Sequence, residues 1–294
     1  MDISYSVEEF LIWCEAERGY SANTVKSYKS DLNKLISYFK NDLDEINEKS
    51  LLKFIKKEFN FNLLSTKSQA RLITTLKVFF HFLEGNSDYK FNFIELIESP
   101  KVQKSLPKAI SYEEIEKLLN AYPMTDEFLA RNNLILEVMY SCALRISECV
   151  GLNVQDINFE KENILVFGKG GKERIVPIGG VGLSKLRKYL DLYTPSMLGK
   201  TKTNALFLNQ HGKRLTRQSL WDIVKKAAKL AGIKTNVSPH TLRHSCATHM
   251  IEHGANIRIV QEFLGHVSLT TTQIYTQVSS DLLHKQLAKS HPRY

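Results

Sequence analysis

Ten residues constrain the fold of this chain more than any others. Residues 99–108, SPKVQKSLPK, hold two prolines and three lysines and carry no hydrophobic period. Proline lacks an amide donor and biases the residue before it away from the helix. An element running through this stretch is disfavoured, so the apolar faces on either side must find separate cores. At 294 residues there is enough chain for two. The expected organisation is an N-terminal domain over 1–98, a linker over 99–108 and a second domain over 109–294.

Before the linker the period is helical throughout. Ser6 and Glu9 have the spacing of a capping box, and Val7, Phe10, Leu11 and Cys14 follow on one face. Beyond Gly19, Val25, Tyr28, Leu32, Leu35, Ile36 and Phe39 mark a long amphipathic helix. A third helix is expected near Leu52, Ile55 and Phe59, and a fourth through Leu72, Leu76, Phe79, Phe80 and Leu83, stopped by Gly85. Four helices with short connections make a small bundle. Its outer faces carry Lys26, Lys29, Lys67, Arg71 and Lys77, which are either phosphate contacts or ordinary solvated charges.

After the linker the pattern is mixed. Ser111 and Glu114 form another capping box ahead of Ile115, Leu118, Leu119 and Tyr122, and a helix from about Asp126 runs into SCALRISECVGL. There Arg145 and Glu148 lie three apart among apolar neighbours, as a structural ion pair or as a pair facing a site. ILVF at 164–167 and RIVPI at 174–178 alternate around Gly168-Lys169-Gly170-Gly171-Lys172-Glu173, which predicts a β-hairpin with a glycine- and lysine-rich tip. ALFLN at 205–209 reads as a further strand, followed by the basic turn Gly212-Lys213-Arg214. Helices over about 181–193 and 216–231 complete the domain. The fold class is mainly α: a four-helix N-terminal domain, then a mostly helical α+β domain with a small antiparallel sheet.

Charge narrows the partner. Residues 1–98 hold 13 Lys and Arg against 15 Asp and Glu, a net −2. Residues 99–294 hold 27 against 16, a net +11. A basic C-terminal two-thirds suits a polyanion, nucleic acid above all, although a solvated basic surface has the same composition. Cys14, Cys142, Cys149 and Cys246 have neither disulfide nor zinc spacing and read as reduced, mostly buried thiols. With no long apolar run and no basic-then-apolar leader, a cytoplasmic protein without membrane association is expected.

The chemistry concentrates in residues 238–276. Ser238 is a helix N-cap with Pro239 in the first turn, and His240 and Arg243, three apart, share one face. A helix start bearing His and Arg favours anions. His266 follows the Leu264-Gly265 turn, and Tyr275 comes nine residues later. A phenol accompanied by imidazoles and a guanidinium points to an oxygen nucleophile attacking a phosphodiester. Only about one phenol in a thousand is ionised at neutral pH. Cations must therefore favour phenolate character and stabilise charge on the phosphate oxygens, and a lysine or histidine must protonate the departing oxygen. His240, His244, His249 and His253 do not make a helical metal site, since His249 and His253 lie more than two turns from His240 and no carboxylate set accompanies them. Neither a metal nor another cofactor is expected. The tail helix bearing Leu282, Leu283 and Leu287 packs on its own domain or docks elsewhere.

These motifs together resemble the tyrosine recombinase, or phage-integrase-like, family, most closely its Xer type. The resemblance spans nearly the whole chain. It comprises SANTVKSYKSDL at 21–32, LRISE at 144–148, GKGGKERIVPI at 168–178, HTLRHSCATH at 240–249, LGH at 264–266, TTTQIYT at 270–276 and HPR at 291–293. It implies that Tyr275 is the nucleophile, forming a 3′-phosphotyrosyl link and releasing a 5′-hydroxyl without ATP. Arg145 and Arg243 would hold the scissile phosphate. Lys169 would be the general acid, with Lys172 as the neighbouring alternative. His240 would assist proton transfer, His266 would hydrogen-bond the phosphate, and Glu148 would prop the site. Cys142-Ala143 stands where many relatives have Thr-Gly, and Gln277 where His is common.

The resemblance further implies a DNA clamp in the N-terminal domain, and a tail helix exchanged within a tetramer on double-stranded DNA. The tetramer would be built from this chain alone or with a second, related recombinase, and a DNA translocase is a possible further partner. Strand exchange would pass through a Holliday junction and resolve chromosome or plasmid dimers. The competing readings are an integrase of a mobile element, a type IB topoisomerase, a metal-dependent nuclease and, outside enzymes, a helical DNA-binding regulator.

Overall fold

Asp2, rather than Ser6, starts the first helix. Its carboxylate accepts the Tyr5 N–H, so α1 runs Ile3–Ala16 and Ser6 lies inside it, its hydroxyl donating back to the Asp2 carbonyl. The computed structural model describes residues 2–61, 64–86, 90–100, 109–168, 173–198, 203–265 and 277–294. The chain divides into two compact units, Met1–Ser105 and Leu106–Tyr294.

In the first unit, α2 (Ala22–Tyr38) is capped by Ser21, whose hydroxyl accepts the Thr24 N–H. α3 (Glu48–Phe61) and α4 (Thr66–Asn86) follow. Leu51, Phe54 and Ile55 are the buried face of α3, while Leu52, assigned to that face from the sequence, is 37% exposed. α4 continues through Gly85, as it can, because one helical glycine costs only about 1 kcal/mol relative to alanine. The core gathers round Phe10, whose ring meets those of Tyr28, Phe79 and Phe82 at 5.3–6.0 Å. Asp31, buried beside it, accepts the Arg71 fork through two 2.9 Å bonds and the Thr75 hydroxyl at 3.1 Å.

The second unit begins with α5 (Tyr112–Leu119), whose Ser111–Glu114 capping box is present. α6 (Glu127–Ser141), capped by Asp126, is its trunk. Leu134, Leu136, Val138 and Tyr140 on α6 are all fully buried, so this helix meets protein on every side. After α7 (Ile146–Gly151) come β1 (Ile157–Asn158), β2 (Asn163–Phe167) and β3 (Glu173–Pro177). They form an antiparallel sheet in the order β1-β2-β3, with Leu165 opposite Ile175 and Phe167 opposite Glu173.

Residues 205–209 are not a strand. Ala205 and Leu208 make only isolated bridges, to Asn153 and Arg214, and the third strand is the short β1 instead. The apolar run expresses burial from both sides, which periodicity alone does not distinguish from ladder pairing.

α8 (Gly180–Leu192), α9 (Thr194–Leu198), α10 (Arg217–Leu230), α11 (Pro239–Glu252), α12 (Ile257–Leu264) and α13 (Gln277–Ser290) complete the unit. α8 and α11 both pack on α6. Leu287 of α13 is fully buried in this unit's core, so the tail helix packs on its own domain in this single chain. Arg293 and Lys185 both pair with the buried carboxylate of Glu137, each at 2.7 Å. All four cysteines are free and buried, Cys14 in the first core and the other three in the second. Among the described residues no helix is long and apolar enough to cross a membrane.

Candidate active site

The site is organised from a sharp turn at the end of α6. Ala143 adopts φ 44°, the left-handed region that glycine occupies without strain. Its carbonyl accepts Nη1 of Arg243 at 2.5 Å. Two residues on, Arg145 is the N-cap of α7, and Glu148 in the third position of that helix reaches back to the Arg145 N–H at 2.8 Å. This backward reach is half of a capping box and gives the Arg-x-x-Glu spacing a local reason.

Glu148 accepts far more than one bond. Its Oε1 takes Nη1 of Arg145 at 2.8 Å and Nη1 of Arg174 at 2.7 Å, while its Oε2 takes Nη2 of Arg174 at 2.9 Å. Nη1 of Arg243 stands 3.8 Å from Oε2. Burial pushes the Glu148 carboxyl up, but the bonds from Arg174 and the Arg145 N–H, with the Arg174 charge, outweigh it and bring it down to about 2. For Arg243, burial and then the positive charge of Arg145 lower the guanidinium to about 10, which leaves it cationic at neutral pH. Three guanidiniums thus share one carboxylate, and the excess positive charge suits an anion. Of the three, Arg145 is the most open, its side chain 37% exposed against 17% for Arg174 and 9% for Arg243.

α11 supplies the next groups. Its start is as expected: the Ser238 hydroxyl accepts the Thr241 N–H at 3.2 Å and Pro239 follows. His240 is exposed and Arg243 is buried. Arg243 also donates through Nη2 to the Leu264 carbonyl, so one side chain ties the turn before Arg145 to the end of α12. α12 closes on Gly265 at φ 65°, and His266 is the next residue in the chain. Arg145, Glu148 and Arg243 are therefore gathered in space. Lys169, Lys172, His266 and Tyr275 lie outside the described residues.

Arg174 was not among the residues singled out from the sequence. The signal was its register: it shares a strand face with buried Val176, so an arginine stands where alternation asks for an apolar residue. The remaining basic candidates differ in their surroundings. Lys26, Lys29, Lys67 and Lys213 are exposed. Arg71 is engaged by Asp31, and Lys77 by the Glu95 carbonyl and carboxylate. Arg214 donates to the Val150 and Leu152 carbonyls at 2.7 and 2.8 Å, which closes the C-terminal end of α7.

Buried Tyr140 donates to Nδ1 of His249 at 2.9 Å. Since a carbonyl only accepts, Nε2 of His249 carries the proton that reaches Ile110 O at 3.0 Å. His249 is a satisfied core residue.

Comparison with known proteins bears on both units. Residues 108–281 match the model of the phage integrase family, and residues 7–86 match that of the phage integrase N-terminal SAM-like domain. The tyrosine recombinase XerD of Staphylococcus epidermidis is 39% identical over 98% of each chain, and that of Listeria monocytogenes 38% identical over the same shares. Among solved structures, the XerH site-specific recombinase in a post-cleavage complex with its palindromic difH substrate is 27% identical, with a TM-score of 0.68 over 96% of this chain and 84% of that one.

Proposed function

The chain belongs to the phage integrase family of tyrosine recombinases, and on that premise we propose that it cuts and rejoins duplex DNA through Tyr275. The Tyr275 oxygen attacks the scissile phosphorus, a P–O bond to tyrosine forms at the 3′ side, and the bond to the 5′ oxygen breaks. Arg145 and Arg243 hold the non-bridging oxygens, a task their planar forks suit. Lys169 delivers the proton that the departing 5′ oxygen needs, with Lys172 as the neighbouring alternative in the sequence. His240 assists proton movement and His266 donates to the phosphate. Glu148 keeps the arginines in place and takes no proton from substrate. Religation reverses these steps, and the bond energy stays in the protein–DNA link, so neither ATP nor a metal is required.

The observation that supports this reading is the sharing of Glu148 by the two phosphate-holding arginines, with Arg145 left open on one side. A structural ion pair alone needs one arginine.

The relatives named XerD and the DNA complex of XerH favour a wider reading. The protein acts on double-stranded DNA as a tetramer, of this chain alone or with a second recombinase. It exchanges strands through a Holliday junction and resolves chromosome or plasmid dimers. The N-terminal domain, 1–98, adds phosphate contacts through Lys26, Lys29 and Lys67, and Lys213 adds another. The tail helix, docked at home in the free chain, exchanges between protomers on DNA.

The test is covalent trapping on a nicked suicide duplex with EDTA present. Wild type gives a slow-migrating band on a denaturing gel, Tyr275→Phe gives none, and Lys169→Ala gives a weak one. DNA binding without a wild-type band on duplexes the protein itself selects overturns the reading.

A further inference from the structure

Arg174 makes the firmest hold on Glu148. Of the three guanidiniums it alone grips the carboxylate with both arms, at 2.7 and 2.9 Å. Two parallel N–H···O bonds fix the plane of a carboxylate, which a single bond leaves free to rotate. With that plane fixed, the remaining lone pairs of Glu148 face the backbone N–H and Nη1 of Arg145, at 2.8 Å each. Among the described residues, Arg145 itself, at 37% side-chain exposure, makes its one side-chain hydrogen bond to Glu148.

Arg174 also reaches a second element. It is set on β3 opposite Val166, and its stem lies against Gly265, the left-handed cap of α12. A Cβ added at Gly265 would come within 2.8 Å of Cδ and 3.1 Å of Nε of Arg174. Nε is buried and has no hydrogen-bond partner among the described residues, so what Arg174 offers the turn is contact and charge. The same turn is also held by Arg243, through the Leu264 carbonyl.

We propose that Arg174 is a positioning residue of the strand-transfer reaction, locking Glu148 so that Arg145 is presented to the scissile phosphate. The proposal rests on the reading that Arg145 holds that phosphate. Arg174 needs no contact with DNA. Its influence runs through Glu148 to Arg145, and its charge adds to the potential that draws the anion.

The experiment compares two nicked suicide duplexes carrying the sequence that wild-type protein selects from a random pool. One has a normal scissile phosphate, the other a methylphosphonate there, which lacks the negative charge that Arg145 serves. Trapping rates are measured for wild type, Arg145→Ala, Arg174→Met and Arg174→Lys, each corrected for its folded fraction. On the phosphate duplex, Arg174→Met is expected to be slower than wild type by about 100-fold, the scale of a lost electrostatic contact, with DNA affinity little changed.

On the methylphosphonate duplex the deficits of Arg174→Met and Arg145→Ala shrink together, to within about fivefold of wild type, because the charge each serves is gone. Arg174→Lys, which keeps the charge and loses the fork, falls between, and it carries the same comparison if the methionine variant does not fold. A deficit of equal size on both duplexes means a merely structural role and overturns the proposal. So does wild-type trapping by Arg174→Met on phosphate. Absence of a band for wild type itself defeats the phosphotyrosine reading, and this inference with it.

Discussion

Arg71 and Lys29 both reach the surface of the N-terminal unit, yet different energies hold them. Arg71 is paired with Asp31, a carboxylate only 1% exposed. Removing the guanidinium leaves a buried charge unpaired, so Arg71→Ala should destabilise this unit by about 3 kcal/mol. Thermal melting measures that loss, and the salt dependence of DNA binding should not change. Lys29 is exposed, so Lys29→Ala should leave the melting curve alone and reduce the salt slope of DNA binding by about one. The sequence showed both as cations on a helix face and concealed the difference, because Asp31 reaches Arg71 across 40 residues. Arg174 escaped notice for a related reason: its partner Glu148 is 26 residues away, and only β alternation hinted that its side chain turned inward. Arg145 and Glu148 were legible because they are neighbours on one helix turn.

Buried groups make the catalytic unit acid-labile at the residue scale, His291 and Glu148 among them. Burial first, and the Arg293 charge among lesser causes, lower the His291 imidazole from 6.5 to about 4. Its folded form favours the neutral ring, so its stabilisation is whole above pH 6.5 and is lost as pH falls from there through 4. Glu148 titrates at about 2 rather than 4.5, so its contribution is whole above pH 4.5 and fades below it. The melting temperature should be level above pH 7 and start to fall near pH 6.5. His291→Gln should flatten the first part of that descent. An unchanged descent in the variant removes His291 as its cause.

At the scale of elements, the N-cap of α11 has the widest reach. Ser238 satisfies the Thr241 N–H at the start of the helix that carries His240 and Arg243. Ser238→Ala should cost about 1 kcal/mol, a fall of roughly 2–4 °C in melting temperature for a unit of this size. Ser238→Asp, which still caps, should restore most of it. Caps of this kind were readable where the capping residue directly precedes an apolar period, as at Ser111 and Ser238. Ser6 misled because Asp2, four residues earlier, already serves α1. The hairpin was readable from alternation on both sides of its glycines. Residues 205–209 were not, since an apolar segment sandwiched by other elements looks the same whether or not it pairs.

At the scale of the whole molecule, the chain keeps one hidden thiol in its first unit and three in its second. Burial pushes Cys14 up to about 11 and Cys142 up to about 12, so none of this sulfur reacts while its core is closed. That arrangement makes the protein its own two-channel clock. In a thiol-alkylating reagent, each adduct records a moment when the surrounding core was open, and the adduct count identifies the unit. A molecule gaining one adduct has opened its helical bundle, and a molecule gaining three at once has opened its catalytic body. Mass spectrometry over time should therefore show steps of one and three. Bound DNA should lengthen the interval before each step according to how tightly it clasps that unit.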